Sequence, residues 1–84
     1  MDKIIPSRLR WACRRGMLEL DLLLTNFLEE AFLTLSAQDR ALFNQLLEAN
    51  DQDLFLWLTG KEISKNQSLN IIIEKIRHHA ENRH

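Results

Sequence analysis

In a chain of 84 residues, only Pro6, Gly16 and Gly60 supply the glycine and proline on which tight turns draw. A sheet-rich fold of this length needs several such turns, and with only two glycines, one proline and no tyrosine the chain has little material for them. Leu, Ile, Ala, Glu and Arg predominate instead, most of them good helix formers. The chain therefore reads as all-α, and its hydrophobic share of 45% is enough for one domain with a modest core.

Spacing of the apolar residues divides it into five helices. Pro6-Ser7 marks a start, with Ser7 as the expected cap, and the run Arg8 to Arg15 forms a short first helix. Leu9, Ala12 and Cys13 fall on its apolar side, and Arg8, Trp11 and Arg15 on the other. Gly16 follows as a left-handed stop. A central helix is expected from about Met17 to Leu35, its stripe formed by Met17, Leu20, Leu24, Phe27, Leu28, Ala31 and Leu35. Leu18, Leu22 and Leu33 lie off that stripe, among Glu19, Asn26, Glu29 and Glu30, and need burial inside or outside the molecule.

Ser36-Ala37-Gln38-Asp39 resembles a capping box and opens a third helix reaching about Ala49. Asp51 is the expected cap of a fourth, Gln52 to Thr59, with Leu54, Phe55 and Leu58 inward, Trp57 off the stripe and Gly60 as its stop. After a polar loop, Leu69, Ile72, Ile73, Ile76 and Ala80 give the last helix its apolar face. Five stripes that only neighbouring helices can cover imply a compact five-helix bundle, one domain over residues 1–84, with fraying expected at about 1–6 and 80–84.

The formal charge of −1, from 11 basic and 12 acidic side chains, gives no global field to draw the molecule onto nucleic acid or an anionic membrane. One cysteine, Cys13, cannot form an internal bridge, no N-terminal apolar run suits a signal peptide, and no apolar stretch is long enough to span a bilayer. A reducing, cytoplasmic setting is expected.

Catalysis finds little support. His78, His79 and His84 sit in the last seven residues, where order is least expected, so a triad with Cys13 or a serine is disfavoured. Cys13 itself reads as a small buried hydrophobe. Adjacent His78 and His79 lack the one-turn spacing of metal ligands, Glu29 and Glu30 are likewise adjacent, and no glycine-rich loop exists to cradle phosphate. No catalytic, metal or cofactor-binding residue is expected.

The segment from Arg8 to Asp21 remains. Arg8, Arg10, Arg14 and Arg15 place four positive charges in eight residues, with Trp11 among them. Such a face is either simply solvated, with arginines stacked on indole or paired with nearby acids, or an interface, since Trp and Arg are enriched at binding hot spots. Glu19 and Asp21, just beyond Gly16, would repel phosphates, so protein is the better partner.

Trp11-Ala12-Cys13-Arg14-Arg15-Gly16-Met17-Leu18-Glu19-Leu20-Asp21 resembles the signature of the succinate dehydrogenase assembly factor family, SdhE in bacteria, whose hallmark is Arg-Gly-x-x-Glu. A second block, Leu46-Leu47-Glu48-Ala49-Asn50-Asp51-Gln52-Asp53-Leu54-Phe55-Leu56-Trp57, is similar to the same family, which often has proline where this chain has Gln52. The resemblance implies a five-helix assembly factor, not an enzyme. Such a factor binds the flavoprotein subunit of succinate dehydrogenase, in some members that of fumarate reductase, and promotes covalent attachment of FAD to a histidine there. By position it implies Arg15, Gly16 and Glu19 as the partner-binding motif, to which the reading of the face adds Arg8 and Trp11, with Arg14 and Asp21 as further neighbours. FAD is expected to belong to the partner, because so small a bundle has little volume for it, and the free protein is expected to be a monomer. The alternative is regulatory: family members have also been described as antitoxins paired with a small membrane-protein toxin.

Overall fold

A computed structural model describes residues 4–83. The described residues form α1 (Ser7–Ala12), α2 (Leu18–Ala31), α3 (Ala37–Leu46), α4 (Asp51–Leu58) and α5 (Gln67–Glu81), with a 3₁₀ turn, Phe32–Thr34, closing α2. No strand occurs among them, and none of their helices is long and apolar enough to cross a membrane. The anticipated stripes supply what the helices bury, Leu20, Leu24, Phe27 and Leu28 of α2 and Leu69, Ile72, Ile73 and Ile76 of α5, but Met17, expected to open the α2 stripe, precedes the helix and is exposed. α5 packs along α3, α2 and α4, so one core serves every element. At its centre Phe43 of α3 meets Phe27 and Phe32, with ring centroids 5.7 and 5.8 Å apart.

Boundaries differ from the sequence reading at several places: α3 ends at Leu46 and not at about Ala49, and four other differences have local physical reasons. Ser7 is not a cap; Pro6 occupies that position at φ −60°, without any side-chain bond, and Ser7 is already helical. α1 ends at Ala12, three residues short of Arg15, and Gly16 follows only after an irregular stretch. α2 gives way at Ala31, where Thr34 Oγ1 donates to the Ala31 carbonyl and tightens the last turn before Leu35 becomes extended. Asp51 does not cap α4: Asn50 does, its Oδ1 accepting from the Asp53 amide at 2.8 Å, and Asp51 is the first helical residue.

Other expectations hold. Ser36 caps α3 by accepting from the Asp39 amide at 3.1 Å, while the Asp39 carboxylate pairs with Lys75 across to α5. Gly16 and Gly60 alone among the described residues adopt positive φ, +86° and +80°. Phe55, expected inward, is half-buried. Of the ends expected to fray, residues 1–3 and His84 lie outside the described residues; Ile5 is buried in the core and α5 runs on to Glu81.

Candidate docking site at the Arg15–Gly16 corner

A chain leaving a helix of only six residues has too few internal hydrogen bonds to hold its own direction, so side chains must set the α1–α2 corner. Met17, extended at the start of α2, offers no capping bond. Asp21 instead ties the chain before the helix to its first turn: Oδ1 accepts from the Arg15 amide at 2.6 Å and Oδ2 from the Gly16 amide at 3.3 Å. A carboxylate in the first turn of α2 also suits the positive end of the helix dipole.

Arg15 ties the corner to the rest of the fold. Its Nη1 donates to the Ala12 carbonyl, closing the end of α1, and to the Leu47 carbonyl, both at 2.9 Å. Its Nη2 donates to the Ala49 carbonyl at 2.7 Å, and its Nε to Asp51 Oδ1 at 2.8 Å. The Leu47 and Ala49 carbonyls follow α3, where helix ends leave acceptors unmet and a cation is favoured. With its side chain 16% exposed, Arg15 points inward; α1 stops too soon for it to share a face with Arg8 and Trp11 as their spacing suggested.

The exterior of the corner is built from other residues. Trp11 is 76% exposed, Arg14 is exposed beside it, and with Arg10 they line a basic, aromatic cleft of about 430 Å³. Arg10 is itself paired with Glu29, and Arg8 donates to Asn44 Oδ1 at 3.0 Å. On the first turns of α2, Leu18 is 74% and Leu22 51% exposed. Glu19 is exposed, with no hydrogen bond or ion pair to any described residue. Behind it Leu22, Leu23 and Asn26 form an apolar groove of about 230 Å³ against His79, Ala80 and Arg83.

Arginine, glycine and glutamate thus meet at one corner and divide its work: Arg15 braces, Gly16 turns, Glu19 is presented. The family model described as flavinator of succinate dehydrogenase matches residues 7–80, almost the whole chain. The chain belongs to that family. Similar proteins include the FAD assembly factor SdhE of Colwellia psychrerythraea, 45% identical over 74 residues, or 88% of this chain and 81% of the relative. That of Shewanella oneidensis is 43% identical over 80 residues (95% and 98%), and that of Coxiella burnetii 42% over 76 (90% and 93%). This flavinator family is one of assembly factors and not of enzymes.

Two further reactive side chains, Cys13 and His79, are engaged within the fold. Cys13 is fully buried, and burial pushes its thiol up from 9.0 to about 12, outweighing the lowering effect of Arg15. A raised folded value means the thiol's burial is tolerated below the ordinary pKa, and stability is lost as pH climbs from 9.0 towards 12. A disulfide-exchange reagent at neutral pH is therefore expected to label Cys13 only as fast as the molecule unfolds; immediate labelling of the native protein would contradict its placement.

His79, one of the last seven residues, where order was least expected, stands edge-on to Phe27 at 5.5 Å, and its Nε2 bonds Glu30 Oε1 at 2.9 Å. Arg83 Nε reaches both Glu30 oxygens at 3.0 and 2.9 Å. The Arg83 hydrogen bond, with a smaller share from His79, holds the Glu30 carboxyl below its ordinary range. No group of three His, Cys, Asp or Glu among the described residues is arranged to hold a metal ion.

Asp51 is the member of this site that the sequence reading did not place there; Leu18 and Leu22, expected to need burial inside or outside the molecule, stand exposed on it. For Asp51 a signal existed: two cap-forming residues stand side by side, Asn50 and Asp51, and only one can cap, which leaves the other for a distant partner.

Proposed function

We propose that the protein docks onto the flavoprotein subunit of succinate dehydrogenase and promotes covalent attachment of FAD there, with the fumarate reductase flavoprotein as a second client. Free in the cytoplasm it is a monomer, and FAD stays with the partner. The observation that carries this reading is the fixed corner itself. Arg15 and Asp21 hold the backbone between α1 and α2 still, while Glu19, Leu18, Leu22 and Trp11 stand outward around it. A rigid surface of this kind loses little entropy on docking, and its exposed tryptophan and leucines supply apolar area.

Such a factor needs no catalytic residue. Covalent attachment requires the isoalloxazine and the acceptor side chain in one pose, and a partner that binds that pose more tightly raises its population by the ratio of the two affinities. The open grooves of about 230 to 430 Å³ on the factor's surface suit side chains of a protein better than a dinucleotide.

The test is covalent flavin in the partner, read as in-gel fluorescence in a deletion strain complemented with variants. The intact protein should restore the signal. Glu19→Ala, which removes an exposed carboxylate, should restore roughly a tenth of it or less, on the scale of a hot-spot loss. Full fluorescence in the deletion strain, accompanied by altered cell shape, would instead support the antitoxin-like alternative.

A further inference from the structure

The guanidinium of Arg15 spends its donors inside the molecule. Four hydrogen bonds, to Asp51 Oδ1 and the carbonyls of Ala12, Leu47 and Ala49, use four of its five N–H groups. Little is left to offer a partner. The bonds join the end of α1 to the carbonyl end of α3 and the first residue of α4, 32 to 36 residues further along the chain.

We infer that Arg15 and Asp51 form a strut of positioning residues, through which the flavoprotein reads the Gly16 backbone and Glu19, not the guanidinium. This rests on the docking reading above. Asp51 can serve because Asn50 has taken the cap, and because a carboxylate at the first position of α4 is favoured by the helix dipole. Its side chain is 42% exposed, so the ion pair adds little stability, and its consequence is geometric. Without it the guanidinium keeps its three carbonyl acceptors but loses its anchor at Nε and its tie to α4, and the end of the six-residue α1 that carries Trp11 is held less firmly.

The strut is tested by measuring the Kd of the full chain for the flavoprotein subunit, well below each variant's Tm, together with amide hydrogen exchange of Arg15 and Gly16 in the free protein. Asp51→Ala should weaken binding ~10-fold with an unchanged helical signal, and should speed exchange of the two amides by a similar factor. Asp51→Asn, which keeps an acceptor for Arg15 Nε, should restore most of both. The double variant Arg15→Ala/Asp51→Ala should bind no worse than Arg15→Ala alone, since both break one unit.

Asp21→Ala, which frees the same amides, keeps the test standing should Asp51→Ala fail to fold. Binding that falls with Arg15→Ala but not with Asp51→Ala would mean that the guanidinium meets the partner itself, and the strut would be overturned. If the wild-type chain binds no flavoprotein, the docking reading fails alone; unchanged amide exchange in both Asp51→Ala and Asp21→Ala would overturn the strut whatever the partner.

Discussion

Phe43→Ala should leave a large part of the population unfolded at physiological temperature. Phe43 is fully buried and lies against both Phe27 and Phe32, so its removal empties the meeting point of α2, α3 and the 3₁₀ turn. Deleting a buried phenylalanine costs about 3–5 kcal/mol in transfer and cavity terms combined. A single core of this size, without disulfide or metal, supplies a net stability of the same order, ~3–5 kcal/mol. The cost therefore consumes most of the margin, and collapse of neighbouring side chains recovers little because the rings are locked by their contacts. Thermal melting followed by circular dichroism checks this: a drop of less than about 5 °C would show that the site refills easily and that the aromatic cluster is not the keystone. Phe43→Leu, which retains most of the volume, should lose far less.

How much of this was legible beforehand depends on the range of the interaction. The stripes of α2 and α5 were readable because helical periodicity is local, and Leu20, Leu24, Phe27, Ile72 and Ile76 are buried as spacing requires. Ser36 was readable as a cap for the same reason. What spacing misjudged is where a distant group competes. The run to Arg15 contains no breaker and reads as helix, yet Arg15 leaves it because carbonyls 32 and 34 residues away claim its guanidinium and Asp21 claims its amide. Composition left Arg15 on a basic face either solvated or docking, and the resemblance put it in the partner-binding motif; packing turns its guanidinium inward as a brace. His79 shows the converse, since chain position suggested disorder whereas Phe27 and Glu30 hold it against α2.

The corner's left-handed glycine separates two demands that a partner-binding turn can make, space and backbone conformation. Within the chain, a Cβ at Gly16 would meet nothing within 4 Å, so the fold asks only for φ of +86°. Any L-residue there incurs the same strain, about 1–2 kcal/mol. Gly16→Ala and Gly16→Arg should thus lose stability to a similar degree and keep the helical signal. Their docking should differ sharply. If the flavoprotein approaches the exposed Gly16 backbone closely, the methyl group of alanine is a modest intrusion, whereas an arginine side chain holds the surfaces apart and costs several kcal/mol, a loss of 100-fold or more by the usual conversion (~1.4 kcal/mol per tenfold). Gly16→Arg should therefore fail to capture the flavoprotein or restore covalent flavin, with Gly16→Ala intermediate. Equal impairment of the two would assign the glycine to conformation alone, and normal capture by Gly16→Arg would remove the corner from the interface.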